Sequence, residues 1–132
     1  MSSPEAFSAV RSLIETNFDL CPVVWPNEGG SADSSMPWVY CEVTGVSTRR
    51  IELGIGATEE VGTIWLHIFV PVGTGTVEQK AIAKTLSRLF LLARDSPLTF
   101  GEQSSAQGEP GDDDGMLWRQ TMTVNYSYQE TV

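Results

Sequence analysis

Residues 63–70 read Thr-Ile-Trp-Leu-His-Ile-Phe-Val, and their alternation sorts them onto two faces. Ile64, Leu66, Ile68 and Val70 make an aliphatic side, while Thr63, Trp65, His67 and Phe69 make an aromatic and polar one. A period of two predicts a strand. A sheet backed by one helical layer needs a single apolar face, so the second one asks for another sheet or another molecule. After Pro71 and a Gly-Thr turn the period lengthens: Ile82, Leu86, Leu89, Phe90 and Ala93 recur at helical spacing. This predicts a helix over residues 77–93, with Thr76 as its cap and Gln79 three positions on, the spacing of a capping box.

An earlier helix opens at Ser3-Pro4-Glu5, where a capping hydroxyl precedes a proline in the first turn and an acid near the positive end of the dipole. Phe7, Val10, Leu13, Ile14 and Phe18 are its apolar stripe, and Pro22 stops it. Residues 23–25 read as a short strand and residues 31–36 as a polar connector. Over 38–43, Val39, Cys41 and Val43 point one way, and Trp38, Tyr40 and Glu42 the other. A further strand is expected over 48–55, with Ile51, Leu53 and Ile55 inward, completing a three-stranded meander or hairpin pair with 61–70. The last element, 117–128, alternates over a long span. Trp118, Met122, Val124, Tyr126 and Tyr128 share one phase, and residues 98–105 are its expected partner.

The intervening segment, about 103–115, is rich in Gly, Ser and acids; its composition predicts a mobile loop that orders against a neighbour. The reading is a single α+β domain over residues 1–132. Its sheet is mixed or mainly antiparallel, with four to five strands and two helices packed on one face.

Charge narrows the choice of partner. Seventeen acidic against eight basic residues give a formal charge of −9, which disfavours nucleic acid or an anionic membrane as a direct partner. Against that background Lys80, Lys84 and Arg88 recur every four residues as a small basic ridge. Such a ridge is either a solvated helix face or a docking surface for an acidic neighbour. No apolar run approaches the roughly eighteen residues of a membrane span, and no basic-then-apolar leader opens the chain, so a cytosolic origin is expected. Cys21 and Cys41 read as lone buried thiols.

Signals for chemistry are weak. His67 is the one histidine and has no nucleophile-elbow context, so a structural ring in a sheet or interface is the better reading. Asp112, Asp113 and Asp114 are hard oxygen ligands in a Gly-bounded loop but lack the alternating spacing and distal Glu of a calcium loop. Gly54-Ile55-Gly56 and Gly73-Thr74-Gly75 lack a phosphate-loop context and read as turns. No cofactor, metal or catalytic residue is expected.

The order of features is similar to that of the tail terminator proteins of long-tailed phages and their prophage and gene-transfer-agent relatives. The features are the leading helix with Phe7, Val10, Leu13 and Ile14, the Val24-Trp25-Pro26-Asn27 stretch, Pro37-Trp38-Val39, and Arg49-Arg50 heading a strand. They continue through the strand 62–70 into the helix 77–92, and end in the aromatic pair Tyr126 and Tyr128. The resemblance implies a virion protein and no enzyme. Such a subunit forms a hexameric ring at the head-proximal end of the tail, assembled in the bacterial cytoplasm. The ring caps the tail tube, stops its polymerisation and meets a head-completion or neck protein. Trp38, Tyr40, Trp65, His67, Phe69, Trp118 and Tyr126, with Lys80, Lys84 and Arg88, are the expected interface residues. Rival readings are a neck or head-completion protein of the same particle, and a cytosolic module binding a small ligand.

Overall fold

The computed structural model describes residues 3–27, 36–51, 56–94, 96–106, 108–111 and 116–131. In chain order the elements are α1 (Pro4–Asn17), β1 (Val23–Val24), β2 (Trp38–Arg50), β3 (Ala57–Pro71), α2 (Val77–Leu91), β4 (Leu98–Ser105), β5 (Glu109–Pro110) and β6 (Leu117–Thr131). The sheet runs β1-β2-β3-β6-β4, with β5 also paired to β6. Among the described residues only the short β1 is parallel to its neighbour, and the other pairings are antiparallel. The expected α+β class and the mainly antiparallel sheet with two helices are thus what the chain adopts.

Both helices bury their stripes against the same side of the sheet. Ala6, Val10 and Ile14 of α1 and Ile82, Leu86 and Phe90 of α2 share one cluster with Val39, Cys41, Ile64, Leu66, Ile68, Met122 and Val124. The register explains the sorting: Leu66 lies opposite both Cys41 and Met122, and Ile64 opposite Val43 and Val124. Each fully buried Leu or Ile there contributes about 1.5–3 kcal/mol. Burial raises the thiols' pKa, to about 11 for the half-buried Cys21 and higher still for Cys41; both are free. Trp25 closes the α1 end, edge-on to Phe7 at 5.6 Å and under the Arg11 guanidinium.

Three expectations change. Residues 38–43 and 48–50 belong to one continuous strand, so β2 and β3 form a single long hairpin in place of three strands. The register slips between Gly45 and Ser47, and Val46 is left as the extra residue, 71% exposed. A bulge changes the side-chain phase without ending the strand, which makes residues 44–47 look like a break. Leu53, Ile55 and most of the Gly54-Ile55-Gly56 turn lie outside the described residues.

Second, α2 has no capping box. The Thr76 side chain makes no cap bond, and Gln79 is 1% exposed, its amide donating to the Ile68 carbonyl at 2.9 Å and the Trp118 carbonyl at 3.3 Å. The same Gln therefore staples the start of α2 to two strands, a use that sequence spacing does not distinguish from capping. The turn before α2 is as expected: Gly73 and Gly75 take φ of +88° and +80°, and Thr74 bonds back to Pro71.

Third, the expected loop over 103–115 is partly strand. Residues 103–105 complete β4, as the expected pairing of 98–105 requires, while Glu109 and Pro110 add an unexpected pairing with Arg119 and Trp118. By contrast the α1 cap is as expected, Ser3 Oγ accepting from the Ala6 N–H at 3.2 Å. Its start is also held from outside. Glu60 is buried on the helix side of β3, accepting from the Ser3 N–H at 2.9 Å and the Tyr126 hydroxyl at 2.5 Å. Desolvation and this Glu60 contact push the Tyr126 phenol well above its usual range.

Candidate functional site

The side of the sheet away from the helices is built by the opposite phase of the same strands. In β2 and β3, Trp38 lies opposite Phe69, Tyr40 opposite His67, Glu42 opposite Trp65 and Thr44 opposite Thr63. Cross-strand pairing therefore gathers the expected aromatics into one band. Trp38 stacks on Phe69 with centroids 4.2 Å apart and planes 12° from parallel, and the Trp65 and His67 rings lie nearly parallel at 6.4 Å. Such pairs add about 0.5–1.5 kcal/mol beyond the area they bury.

Two hydrogen-bonded chains set the polar edge of this band. His67 Nε2 meets Glu42 Oε1 at 3.0 Å and its Nδ1 meets Thr121 Oγ1 at 2.9 Å. With Glu42 ionised, Nε2 carries the proton, and Nδ1 accepts from the threonine hydroxyl. Trp65 Nε1 donates to Thr44 Oγ1 at 2.8 Å, which in turn donates to the Thr63 carbonyl. Sequence reasoning missed both chains, because they join residues on three strands whose register it did not fix. An acid–His–hydroxyl series resembles a catalytic relay in form. Thr121, however, sits within β6, which is paired on both sides, where backbone N–H groups serve the ladder and do not form an oxyanion hole. The arrangement orients rings; it does not activate a nucleophile.

The band is only partly covered. Phe69 is 8% exposed, because the chain crosses it at Gly111, where an added Cβ would lie 2.9 Å from the Phe69 ring. Arg119 and Glu109 pair beside it. Further along, Trp65 is 37% exposed and Tyr40 half-buried. Trp38 Nε1 is buried and has no hydrogen-bond partner among the described residues, an arrangement rare in a finished interior. Toward the other end, Val46, Val61, Thr63, Gly101 and Asn125 line a shallow concavity of about 410 Å³.

Two of the expected aromatics are elsewhere. Trp118 lies opposite Val70 and Tyr126 opposite Gly62, which places both on the helix side. Tyr126 is 3% exposed and belongs to the core cluster. They share the phase of Met122 and Val124, so they cannot join Trp65, whose neighbour on β6 is Thr123. Lys80, Lys84 and Arg88 are exposed on α2, on the far side of the sheet from the aromatic band. Among the described residues no three His, Cys, Asp or Glu side chains come together as a metal site; Asp112, Asp113 and Asp114 lie outside those residues. No described helix is long and apolar enough to cross a membrane.

Comparison with known proteins gives one sequence-family match: the model described as phage tail terminator protein covers residues 7–126. No curated protein matches the chain. A solved structure 18% identical in sequence superposes with a TM-score of 0.65, covering 92% of this chain and 94% of that one. At that identity the likeness speaks for the fold alone.

Proposed function

This chain belongs to the phage tail terminator family, and on that premise we propose that it forms a hexameric ring on the head-proximal end of the tail tube. Membership makes it a structural protein of the phage particle and not an enzyme, one that works against tail-tube or head-joining proteins. In the proposed role the ring stops tube polymerisation and presents a surface to the head-completion protein. The family match across residues 7–126 carries the reading. The molecule's two-sided sheet supports it: a subunit that must bury one face in its own core and another against neighbours needs two apolar sides. Trp38, Tyr40, Trp65 and Phe69 suit the second side, since large rings bury area while their polar atoms bond at the rim.

Particles assembled without this protein should carry tails of abnormal length when imaged by electron microscopy. Normal-length tails beside unjoined heads would instead assign it to the neck, because termination would be intact. Normal tails on joined heads would remove both readings.

A further inference from the structure

Six of the eight cations of this chain divide between two fates. Arg11, Arg49 and Arg119 are ion-paired within the chain, to Glu15, Glu59 and Glu109. Lys80, Lys84 and Arg88 are exposed, and none has a partner among the described residues. Their four-residue spacing puts them on one line along α2, opposite the buried Gln79, Ile82, Leu86 and Phe90. Val77 and Leu91 continue that line at either end, 83% and 65% exposed. In a chain of formal charge −9, three aligned and unneutralised cations flanked by bare apolar side chains form a surface made for an anionic, partly apolar partner.

The chain carries such a surface on its opposite side. Glu42 sits between Tyr40 on its own strand and Trp65 directly across, and its side chain is 40% exposed. Its Oε1 is held by His67, while Oε2 has no partner among the described residues. A carboxylate flanked by ring faces attracts an ammonium or guanidinium both by charge and through the rings.

We propose that the Lys80–Lys84–Arg88 stripe of one copy docks on the Tyr40–Glu42–Trp65 patch of the next, and that this head-to-tail contact builds the ring. The inference rests on the ring reading given above and names the elements that would make it. The two surfaces lie on opposite sides of one sheet, so no single chain can join them. A two-fold contact of the aromatic band with itself would set Glu42 near a second Glu42 and leave the α2 stripe unused. A contact between unlike surfaces pairs opposite charges and repeats, closing into a ring when the rotation allows.

Zero-length carbodiimide cross-linking of assembled particles, read by mass spectrometry, tests the contact directly. Glu42 should be joined to Lys80 or Lys84; because the sheet separates them within a chain, any such link joins two copies. Glu42→Lys alone, and Lys84→Glu with Arg88→Glu, should each lose the ring, the helix variant melting as the wild type does. The charge swap Glu42→Lys with Lys84→Glu should regain it. Links from Lys80 and Lys84 only to other proteins, or no links together with intact rings in the Lys84→Glu, Arg88→Glu variant, would overturn this contact. In either case rings and normal tail lengths would still stand, so failure here is distinct from failure of the terminator reading, which removal of the protein tests.

Discussion

A methyl group added at position 62 would lie 2.4 Å from the Thr44 carbonyl oxygen and 2.6 Å from the Tyr126 ring and hydroxyl. The absence of a side chain there is what lets Tyr126 lie across β3 and reach Glu60, which also holds the first N–H of the α1 cap. The backbone oxygen belongs to the β2–β3 ladder and cannot retreat without breaking it. Gly62→Ala should therefore destabilise the subunit by about 1–3 kcal/mol, the range for overpacking a filled interior. Urea unfolding followed by tryptophan fluorescence measures it, and an unchanged midpoint would mean that Tyr126 has somewhere else to go. None of this was legible in the sequence. Gly62 reads as one more strand residue, and nothing in the alternation marks Glu60 as buried. Only the register that sets Gly62 opposite Tyr126 explains why a small residue and a buried acid are neighbours.

At the scale of elements, alternation and helical periodicity carried further. The faces of 63–70, the pairing of 98–105 with the last strand, and the α1 cap were all readable, because each depends on neighbours along the chain. What failed depended on contacts across it. The bulge at Val46 disguised one strand as two, and Gln79 looked like a capping residue while serving as a staple to Ile68 and Trp118. Trp118 and Tyr126 were correctly phased with Met122 and Val124, yet that phase belongs to the core side of the sheet. The α2 stripe is the clearest case of a face that sequence assigned correctly. Leu86→Ala or Phe90→Ala should cost about 2–5 kcal/mol, since both side chains are almost wholly enclosed. Lys84→Ala, on the exposed line, should cost a few tenths of a kcal/mol at most, about what an unpaired surface charge contributes. Equal losses in denaturant melts would place α2 with the wrong side inward.

At the scale of the whole molecule, the subunit has a basic helical stripe on one side and an aromatic, acidic band on the other. Unlike surfaces on opposite sides make an assembly that propagates, whereas a self-complementary surface stops at two. That difference can be read from mixtures. A subunit with Tyr40→Ala and Trp65→Ala would lose only its aromatic side, and one with Lys84→Glu and Arg88→Glu only its helical side. Neither should form rings alone, since each lacks one half of every contact. Mixed together, they retain one competent side apiece, so a single contact forms and then no further surface remains. The expected product is a heterodimer, resolved by native mass spectrometry, with no hexamer at any mixing ratio. An assembly held by the aromatic band against itself would behave differently: the Lys84→Glu, Arg88→Glu subunit would form homodimers unaided, and its partner would stay monomeric.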